Sequence, residues 1–294
     1  MHFHRGVTTT LLTFTFAIAS ALPAVAQSKK VTVGGRPSPA QAIRLNIVQD
    51  ADLTMKPAEA VAGSPIGPMH LKAKTTTVVS QKVGTPDEKG GLKVEMTYED
   101  MTQDLSLNDQ PAPPEAAEAA LRIKGKTLSM TLDANGEVID VTPPAGLEMP
   151  PEAVKDMLKQ ALGLMARQEM AVGETVTAPF SMAMPIPIPG DPPQITGDVK
   201  STLTAISGPP GNEIASLDQV VTAGVDAKLP APGGTGEVLI KMRVTGKGTT
   251  EWDVKGALAK SSKMTTTITG TFTVPGAGVM AMNGTTIVNL DRAQ

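Results

Sequence analysis

The chain contains no cysteine and few aromatic residues: one tryptophan, one tyrosine and five phenylalanines among 294 residues. Without cysteine it has no disulfide, no thiolate metal site and no lipid-modified cysteine. Because aromatics are scarce and the net charge is −3, the chain lacks both the stacking platforms and the basic patch that nucleic acid requires. We therefore expect no nucleic-acid partner.

Long apolar runs are also lacking, apart from one at the start. A short basic segment, Met1–Arg5, precedes the apolar run of residues 7–22, and Ala24-Val25-Ala26 matches an A-x-A cleavage signal. These are the parts of a secretory signal peptide, so we expect residues 1–26 to be removed and the protein to be exported to the periplasm or the extracellular medium. No other run approaches the roughly 20 apolar residues of a membrane-spanning helix, and we expect the protein not to be an integral membrane protein.

Removal of the signal peptide changes the net charge of the chain. Loss of Arg5 leaves 25 of the 26 basic residues against 29 acidic ones, a net charge of −4. We interpret residues 27–40, which are rich in glycine, proline and lysine, as a flexible N-terminal segment. We interpret residues 41–294 as a single β-rich domain.

The dominant pattern after residue 40 has period two, which is typical of strands with one buried face. Between residues 92 and 98 the apolar residues have even numbers, and after Glu99-Asp100 they have odd numbers. A shift of one residue reverses the faces, so the pattern predicts a bulge or a strand break at Glu99-Asp100. Residues 238–290 predict four successive antiparallel strands, with a turn at Gly246-Lys247-Gly248.

One segment has the period of a helix. Residues 151–167 carry a single apolar stripe, which predicts an amphipathic helix between two β-rich halves; the stripe consists of Val154, Met157, Leu158, Ala161, Leu162 and Met165. Two proline-rich segments, residues 110–115 and 185–193, are predicted to be loops, and the second is predicted to be an extended surface loop or a sheet edge. The fold class predicted is mainly β: a curved antiparallel sheet, half-barrel or open-barrel-like, with the helix packed on its apolar face.

The segment Asp133-Ala134-Asn135-Gly136-Glu137 has three readings: a calcium loop, a substrate site or a turn. Counting from Asp133, an EF-hand would need glycine at position 6 and glutamate at position 12, where the chain has Val138 and Pro144. The flanking segments alternate as strands do. Asn-Gly between strands favours a type I′ hairpin turn, in which both central residues have positive φ.

Candidates for chemistry are few. Met182-Ala183-Met184 and Met280-Ala281-Met282 offer thioethers of the kind that bind Cu(I), but no histidine accompanies them, and methionine also fills apolar cores. His70 is the one histidine of the predicted mature chain, and no nucleophile motif accompanies it. We expect no catalytic residues, no metal site and no cofactor, and therefore a protein that is not an enzyme.

The order of these segments resembles a family of uncharacterised bacterial exported proteins and surface lipoproteins. The resemblance rests on "AIRLNIVQDADLTM", on "KTLSMTLDANGEVIDV", on the helix and on "MAVGETVTAPFSM", in this order. It implies no activity and no catalytic residues, and the chain departs from the lipid-anchored members because it has no cysteine. The architecture is also similar to that of lipoprotein-carrier half-barrels, in which helices close a curved sheet over an apolar groove.

Two hypotheses for function follow. The first is a binding protein that takes a lipid or another hydrophobic ligand in an apolar groove. Its predicted wall residues are Met96, Tyr98, Met130, Trp252, Met264, Phe272, Met280 and Met282. The second is a structural or interaction module of the cell envelope, with a closed apolar core and a protein partner. The sequence leaves open whether the apolar face is a groove or a core.

Overall fold

The computed structural model describes residues 29–58, 67–112, 122–145, 151–163, 167–183, 193–230, 236–274 and 278–293. Within them the chain is mainly β, with one helix, α1 (Pro151–Gly163). The strands are β1 (Lys30–Val33), β2 (Ala42–Pro57), β3 (Met69–Pro86), β4 (Leu92–Leu107), β5 (Gln110–Pro111), β6 (Thr127–Leu132), β7 (Val138–Thr142), β8 (Gln168–Ala171), β9 (Thr175–Ala183), β10 (Gln194–Ser207), β11 (Ile214–Pro230), β12 (Glu237–Asp253), β13 (Leu258–Val274) and β14 (Gly278–Ala293).

Twelve of these strands form one antiparallel sheet that is not closed. Its order is β7-β6-β4-β3-β2-β14-β13-β12-β11-β10-β9, with β5 paired to β4, so β7 and β9 are its outer edges. Helix α1 lies against both β7 and β9. A helix of 13 residues is only about 20 Å long, so the sheet must curl until its two edges approach the same helix. The predicted fold class is confirmed.

Strand pairing separates the side chains into two faces. The face that holds the buried residues is called the apolar face, and the opposite one the polar face. One row of the apolar face, followed by register through six neighbouring strands, consists of Leu203, Leu217, Thr250, Ser262, Leu290 and Ile47. Positions two residues away along each strand share the same face. Charged and threonine side chains such as Lys241 and Thr267 occupy the polar face.

The predicted bulge in β4 is confirmed. Val78 pairs with Asp100, and the next residue of β3, Val79, pairs with Tyr98, so Glu99 is an extra residue in β4. The extra residue reverses the parity of β4 without turning the strand out of the sheet. As a result, Tyr98 and Met101 both lie on the apolar face although their numbers differ in parity.

The turn predicted at Gly246-Lys247-Gly248 does not exist, because β12 runs without interruption from Glu237 to Asp253. Both glycines lie on the apolar face, where β13 approaches closely. A Cβ at Gly246 would lie 2.7 Å from Cγ2 of Thr266, and a Cβ at Gly248 would collide with the carbonyl oxygen of Lys263. At these positions glycine therefore allows two neighbouring strands to approach closely, and such close approach accompanies curvature of the sheet. The chain reverses instead at residues 254–257, where Ala257 has a φ of 50°.

The β6–β7 hairpin is confirmed, but its predicted turn type is wrong. Gly136 has a φ of 89°, whereas φ of Asn135 is negative, so this is not a type I′ turn. The backbone N–H of Asp133 donates to the carbonyl oxygen of Glu137 (2.9 Å), which encloses a three-residue loop. The Asp133 carboxylate accepts hydrogen bonds from the N–H groups of Asn135 and Glu137, both at 2.8 Å. These bonds lower the pKa of Asp133 and employ its carboxylate in the turn.

Helix α1 begins at Pro151 as predicted and is described as far as Gly163. Residues 164–166 lie outside the described residues, and Arg167, the predicted end, is not helical. Val154 is buried, and Leu158 and Leu162 pack on a cluster of core residues from β3, β4, β6 and β7. Met157, which the sequence placed in the apolar stripe, is 45% exposed, because the helix rests on the sheet along a narrower line than the stripe.

The N-terminal segment differs from the flexible lead-in that the sequence predicted. Residues 30–33 form β1, which pairs with β8 in a separate two-stranded sheet. Val31 of β1 and Met170 of β8 are buried against Leu203, Leu217 and Trp252 of the large sheet. The segment therefore covers one end of the apolar face. Its glycines and prolines obscured a strand that exists only because β8 is there to pair with it.

Several predictions fall outside the described residues. These are the signal peptide and residues 27–28, Met165 of the helical stripe, Met184 of the first methionine pair, residues 185–192, and residues 113–115 of the other proline-rich segment. The loop predicted from residue 110 is wrong at its start, because Gln110–Pro111 form β5 against β4. Among the residues that are described, no helix is both long enough and apolar enough to cross a membrane.

Gly248→Ala is expected to lower the free energy of unfolding by about 1–3 kcal/mol, the usual cost of overpacking. The added methyl group would meet the Lys263 carbonyl oxygen and the Met264 side chain. Gly67→Ala is the matched control, since a Cβ there has no heavy atom within 4 Å, and we expect a change within about 0.5 kcal/mol. Urea unfolding followed by tryptophan fluorescence measures both variants. Equal stability of the two would contradict the close approach of β12 and β13.

Candidate functional site

The eight residues predicted to wall a groove share the apolar face of the sheet. Pairing links Met96 to Gln81 and Tyr98 to Val79 across β3 and β4, and the same register continues through β2 to the C-terminal strands. All eight predicted side chains therefore lie on the same side of the sheet. It does not form one site, because its members occupy three separate regions of that face.

The first region lies beneath helix α1. Met130 is 6% exposed within the core cluster of β4, β6 and β7, and Met96 and Tyr98 pack against the same cluster. These side chains are enclosed between the sheet and the helix. Their surroundings are those of a protein core, and burial raises the pKa of the Tyr98 phenol.

The second region is at the opposite end of the long strands. Phe272 and Met280 are cross-strand partners, Met282 pairs with Gly270, and Phe272 packs against Val225, Leu229 and Ile240. Met264 pairs with Gly248, and it lies between this region and the end of the sheet that β1 covers. The third region contains only Trp252 from the predicted set, in the cluster with β1 and β8.

A cavity of about 240 Å³ lies beside Trp252, between the β1–β8 pair and the large sheet. Strands β9 to β14 all contribute to its wall. Its apolar lining includes Val33, Met170, Val176, Val199, Leu217 and Leu290. Of the eight residues predicted from the sequence, only Trp252 lines this cavity. The arrangement, apolar walls with a few polar groups, is that of a small-molecule site.

Four polar side chains of the cavity wall form a hydrogen-bonded chain. Thr250 Oγ1 donates to Gln219 Oε1 (2.8 Å), and Gln219 Nε2 donates to Ser201 Oγ (3.4 Å). Thr250 Oγ1 also lies 2.9 Å from Ser262 Oγ. A hydroxyl has one hydrogen, and that of Thr250 is used on Gln219, so Ser262 is the donor to Thr250. The chain therefore runs in one direction, from Ser262 to Ser201.

Among the residues that the structure describes, none that lines the cavity is acidic, basic or histidine, so these residues bring no formal charge to it. Its fifth polar residue, Gln168 of β8, adds a neutral amide. An ionised group placed here would lose its hydration without gaining a counter-charge. The wall therefore favours neutral molecules.

The sequence missed most of this site for a structural reason. Leu217 and Gln219, like Val199 and Ser201, alternate with exposed residues, so period two did place them on one face. Nothing in the sequence indicated that β1 and β8 would enclose that part of the face. The polar residues Ser201, Gln219 and Thr250 also looked like interruptions of the apolar pattern when taken strand by strand.

A larger recess of about 780 Å³ lies next to the β4–β5 turn and is lined mainly by polar-face side chains. His70 Nε2 is 2.7 Å from Asp52 Oδ1, and Lys72 Nζ is 3.0 Å from Asp109 Oδ1. This hydrogen bond from Lys72 lowers the pKa of Asp109 and raises that of Lys72. His70 lies beside the recess and contacts it through Asp52, which is one of the lining residues.

Metal binding finds no support in the described residues, where no three histidine, cysteine, aspartate or glutamate side chains converge as a metal site requires. The chain matches no protein-family model and no curated protein. The resemblance to bacterial exported proteins therefore stays a prediction that rests on the sequence motifs.

Burial of Tyr98 predicts a titration above the ordinary phenol pKa of about 10. Because the folded protein holds the phenolic proton more tightly than the unfolded chain, this contribution to stability is complete below the unfolded pKa. It is lost as the pH rises through the folded pKa. Near-ultraviolet absorbance of the phenolate measures the pKa directly, since the chain has one tyrosine. Tyr98→Phe is the control for the absorbance step, and titration at or below pH 10 in the folded protein would contradict the placement of Tyr98.

Proposed function

We propose that this protein is a non-enzymatic binding protein of the cell envelope, which takes a lipid or another hydrophobic ligand on the apolar face of its open sheet. The proposed site is the cavity between the β1–β8 pair and strands β9 to β14. The observation that carries the proposal is this cavity: it is apolar, uncharged and bordered by a few convergent polar groups.

The size of the cavity limits what it can hold. Its volume of about 240 Å³ is below the roughly 300–1,000 Å³ of sites for drug-sized ligands. It suits a single alkyl chain or one ring system. A longer ligand would extend along the apolar face toward the other end of the strands.

The remainder of the apolar face supports such an extension. Toward the end of the strands away from β1, Leu107 of β4 and Met182 of β9 are each 42% exposed on this face. Leu53, Leu71 and Ile268, at the same level of the sheet, are only partly buried. An apolar surface that continues from a cavity is a favourable path for a hydrophobic chain.

Export supports the proposed location. The features of residues 1–26 are those of a secretory signal, and the A-x-A motif ends at Ala26. We propose that the mature protein acts in the periplasm or outside the cell, where lipids in transit need an apolar carrier surface.

One observation favours the second hypothesis, a structural or interaction module. Met130, Trp252 and Met280 are 6%, 4% and 5% exposed, so part of the predicted wall already packs as a protein core. Under this alternative the cavity is a packing defect and a protein partner would be bound by the edges or loops. The two proposals differ in whether the folded protein binds an apolar molecule.

Native mass spectrometry of the protein purified from its own cells tests the proposal. We expect an added mass that is released by organic solvent, and we expect the delipidated protein to bind an apolar fluorescent dye. Ala178→Leu, which places a larger side chain in the cavity wall on β9, should weaken dye binding at least about tenfold, since the added atoms fill the site.

Thr177→Leu is the matched control, because the neighbouring position faces the opposite side of β9 and is exposed. It should leave dye affinity unchanged. If no mass is co-purified and the folded protein does not bind the dye, the binding hypothesis is wrong and the structural alternative stands. Equal effects of the two substitutions would place the dye outside the cavity.

A further inference from the structure

Strand register brings four methionines into one row across the apolar face. Met69 of β3 pairs with Met55 of β2, which pairs in turn with Met282 of β14. Gly270 of β13 lies between Met282 and Met242 of β12 and pairs with both, so it adds no side chain between them. Met55, Met69, Met242 and Met282 are called the methionine row.

The methionine row keeps accessible surface, unlike the methionines of the core. Its four side chains are half-buried, whereas Met130 and Met170 are 6% and 1% exposed. Methionine is unbranched and has three rotatable bonds, so a surface built from it adapts to apolar molecules of different shape. The row therefore offers an adaptable apolar surface at the end of the strands away from β1.

Neutral residues connect the cavity to the methionine row. Val199, which lines the cavity, belongs to a pairing row that continues through Val221, Gly246, Thr266, Thr286 and Ala51. The next row, adjacent to the methionines, contains Ala223, Val244, Ile268, Gly284, Leu53 and Leu71. None of these residues is charged, so a hydrophobic molecule can extend from the cavity to the methionines without contact with a charged group on this face.

The shortage of hydrogen-bonding groups favours a hydrocarbon chain over a peptide as the occupant. Among the described residues of the two connecting rows, Thr266 and Thr286 have the polar side chains, and Thr266 Oγ1 donates to the carbonyl oxygen of Thr286 (3.4 Å). A peptide would bring N–H and C=O groups that need partners when they leave water. An alkyl chain brings none.

The distance along the strands matches one long acyl chain. Val221 lies opposite Val199 at the near edge of the cavity, Gln219 lies deeper in its wall, and Val225 pairs with Met242. At about 3.3 Å per residue, Val225 is about 13 Å from Val221 and about 20 Å from Gln219. Since two acyl chains span the roughly 30 Å hydrocarbon core of a bilayer, one chain covers about 15 Å. Such a chain, with one end in the cavity, reaches the methionine row, and a chain of half that length does not.

We propose that the methionine row is the distal part of the ligand site, and that it contacts the far end of a long acyl chain whose other end lies in the cavity. This inference rests on the proposed function and names its ligand class: lipids with a chain as long as those of membrane lipids, rather than short-chain or compact apolar molecules. Met55, Met69 and Met242 are then ligand-binding residues together with Met282.

Methionine methyl resonances test the proposal on the unaltered protein, because Met170 lines the cavity and the methionine row reports the distal part. The probes are 1-octanoylglycerol and 1-palmitoylglycerol, which share a neutral head group and differ in chain length. Each is delivered from cyclodextrin, which prevents aggregation, to delipidated full-length mature protein labelled with [methyl-¹³C]methionine. We expect 1-octanoylglycerol to shift Met170 alone and 1-palmitoylglycerol to shift Met170 and the row. Met157, exposed on α1, should not move with either lipid.

A substitution tests the contact itself. Met55 lies between Met69 and Met282, and Met55→Gln keeps the length of the side chain but replaces the thioether by a polar amide. It should weaken 1-palmitoylglycerol about five- to tenfold and 1-octanoylglycerol less than about twofold, as measured by displacement of the apolar dye. Lys56→Gln is the matched control: it introduces the same residue at the next position, which is exposed on the polar face, and should change neither affinity.

The outcomes separate this inference from the proposed function. If both lipids shift Met170 alone, or both shift the methionine row equally, the long-chain inference is overturned and binding in the cavity stands. Shifts of the row without Met170 also overturn it, since the chain would not extend from the cavity. Resonances of the row that move with protein concentration in the absence of lipid would assign the row to a second copy of the chain instead. If Met170 moves with neither lipid, and the dye does not bind, both proposals fail.

Discussion

Coverage of one apolar face is the constraint on which the rest of the structure depends. Period-two alternation over strands of up to 18 residues places nearly all large apolar side chains on the same side of a twelve-stranded sheet. At roughly 25 cal/mol per Å² of apolar surface, leaving such a face in water would be unfavourable by a large margin. Helix α1 covers the part formed by β4, β6 and β7, and the β1–β8 pair covers the part around Leu203, Leu217 and Trp252. Because the sheet is curved, helix α1 and the β1–β8 pair can contact this face.

Curvature itself depends on small residues and on register shifts, which occur in several strand pairs of the sheet. Gly197, Gly246, Gly248, Gly270 and Gly284 face the apolar side at places where a Cβ would meet a neighbouring strand. Glu99 is the extra residue that bends β4. Because the curled sheet brings β9 and β7 to the same helix, the wall of the cavity can be drawn from six adjacent strands. The cavity and the curvature therefore have one origin, and the site would be lost if the sheet were flat.

The periodicity of short sequence segments predicted the features that depend on local backbone geometry. Alternation predicted the apolar face, the bulge at Glu99 and the orientation of all eight proposed wall residues, and the helical period predicted the start of α1 at Pro151. The turn assigned to Gly246-Lys247-Gly248 was wrong because glycine has two uses, reversal of the chain and close approach of strands, which only the neighbouring strand distinguishes. The strand β1 and the lining of the cavity depend on partners more than 100 residues away, such as Met170 opposite Val31. No short segment of the sequence contains both partners of such a contact.

The proposed function follows from incomplete packing on the apolar face: helix α1 and the β1–β8 pair leave a cavity with apolar walls, and none of its described lining residues is acidic, basic or histidine. A crystal structure of the mature protein purified gently from its own cells tests this claim most directly. The account predicts electron density of a non-protein molecule beside Trp252, with an apolar portion between β8 and β11. A cavity closed by protein side chains, or one occupied by ordered water alone, would contradict it.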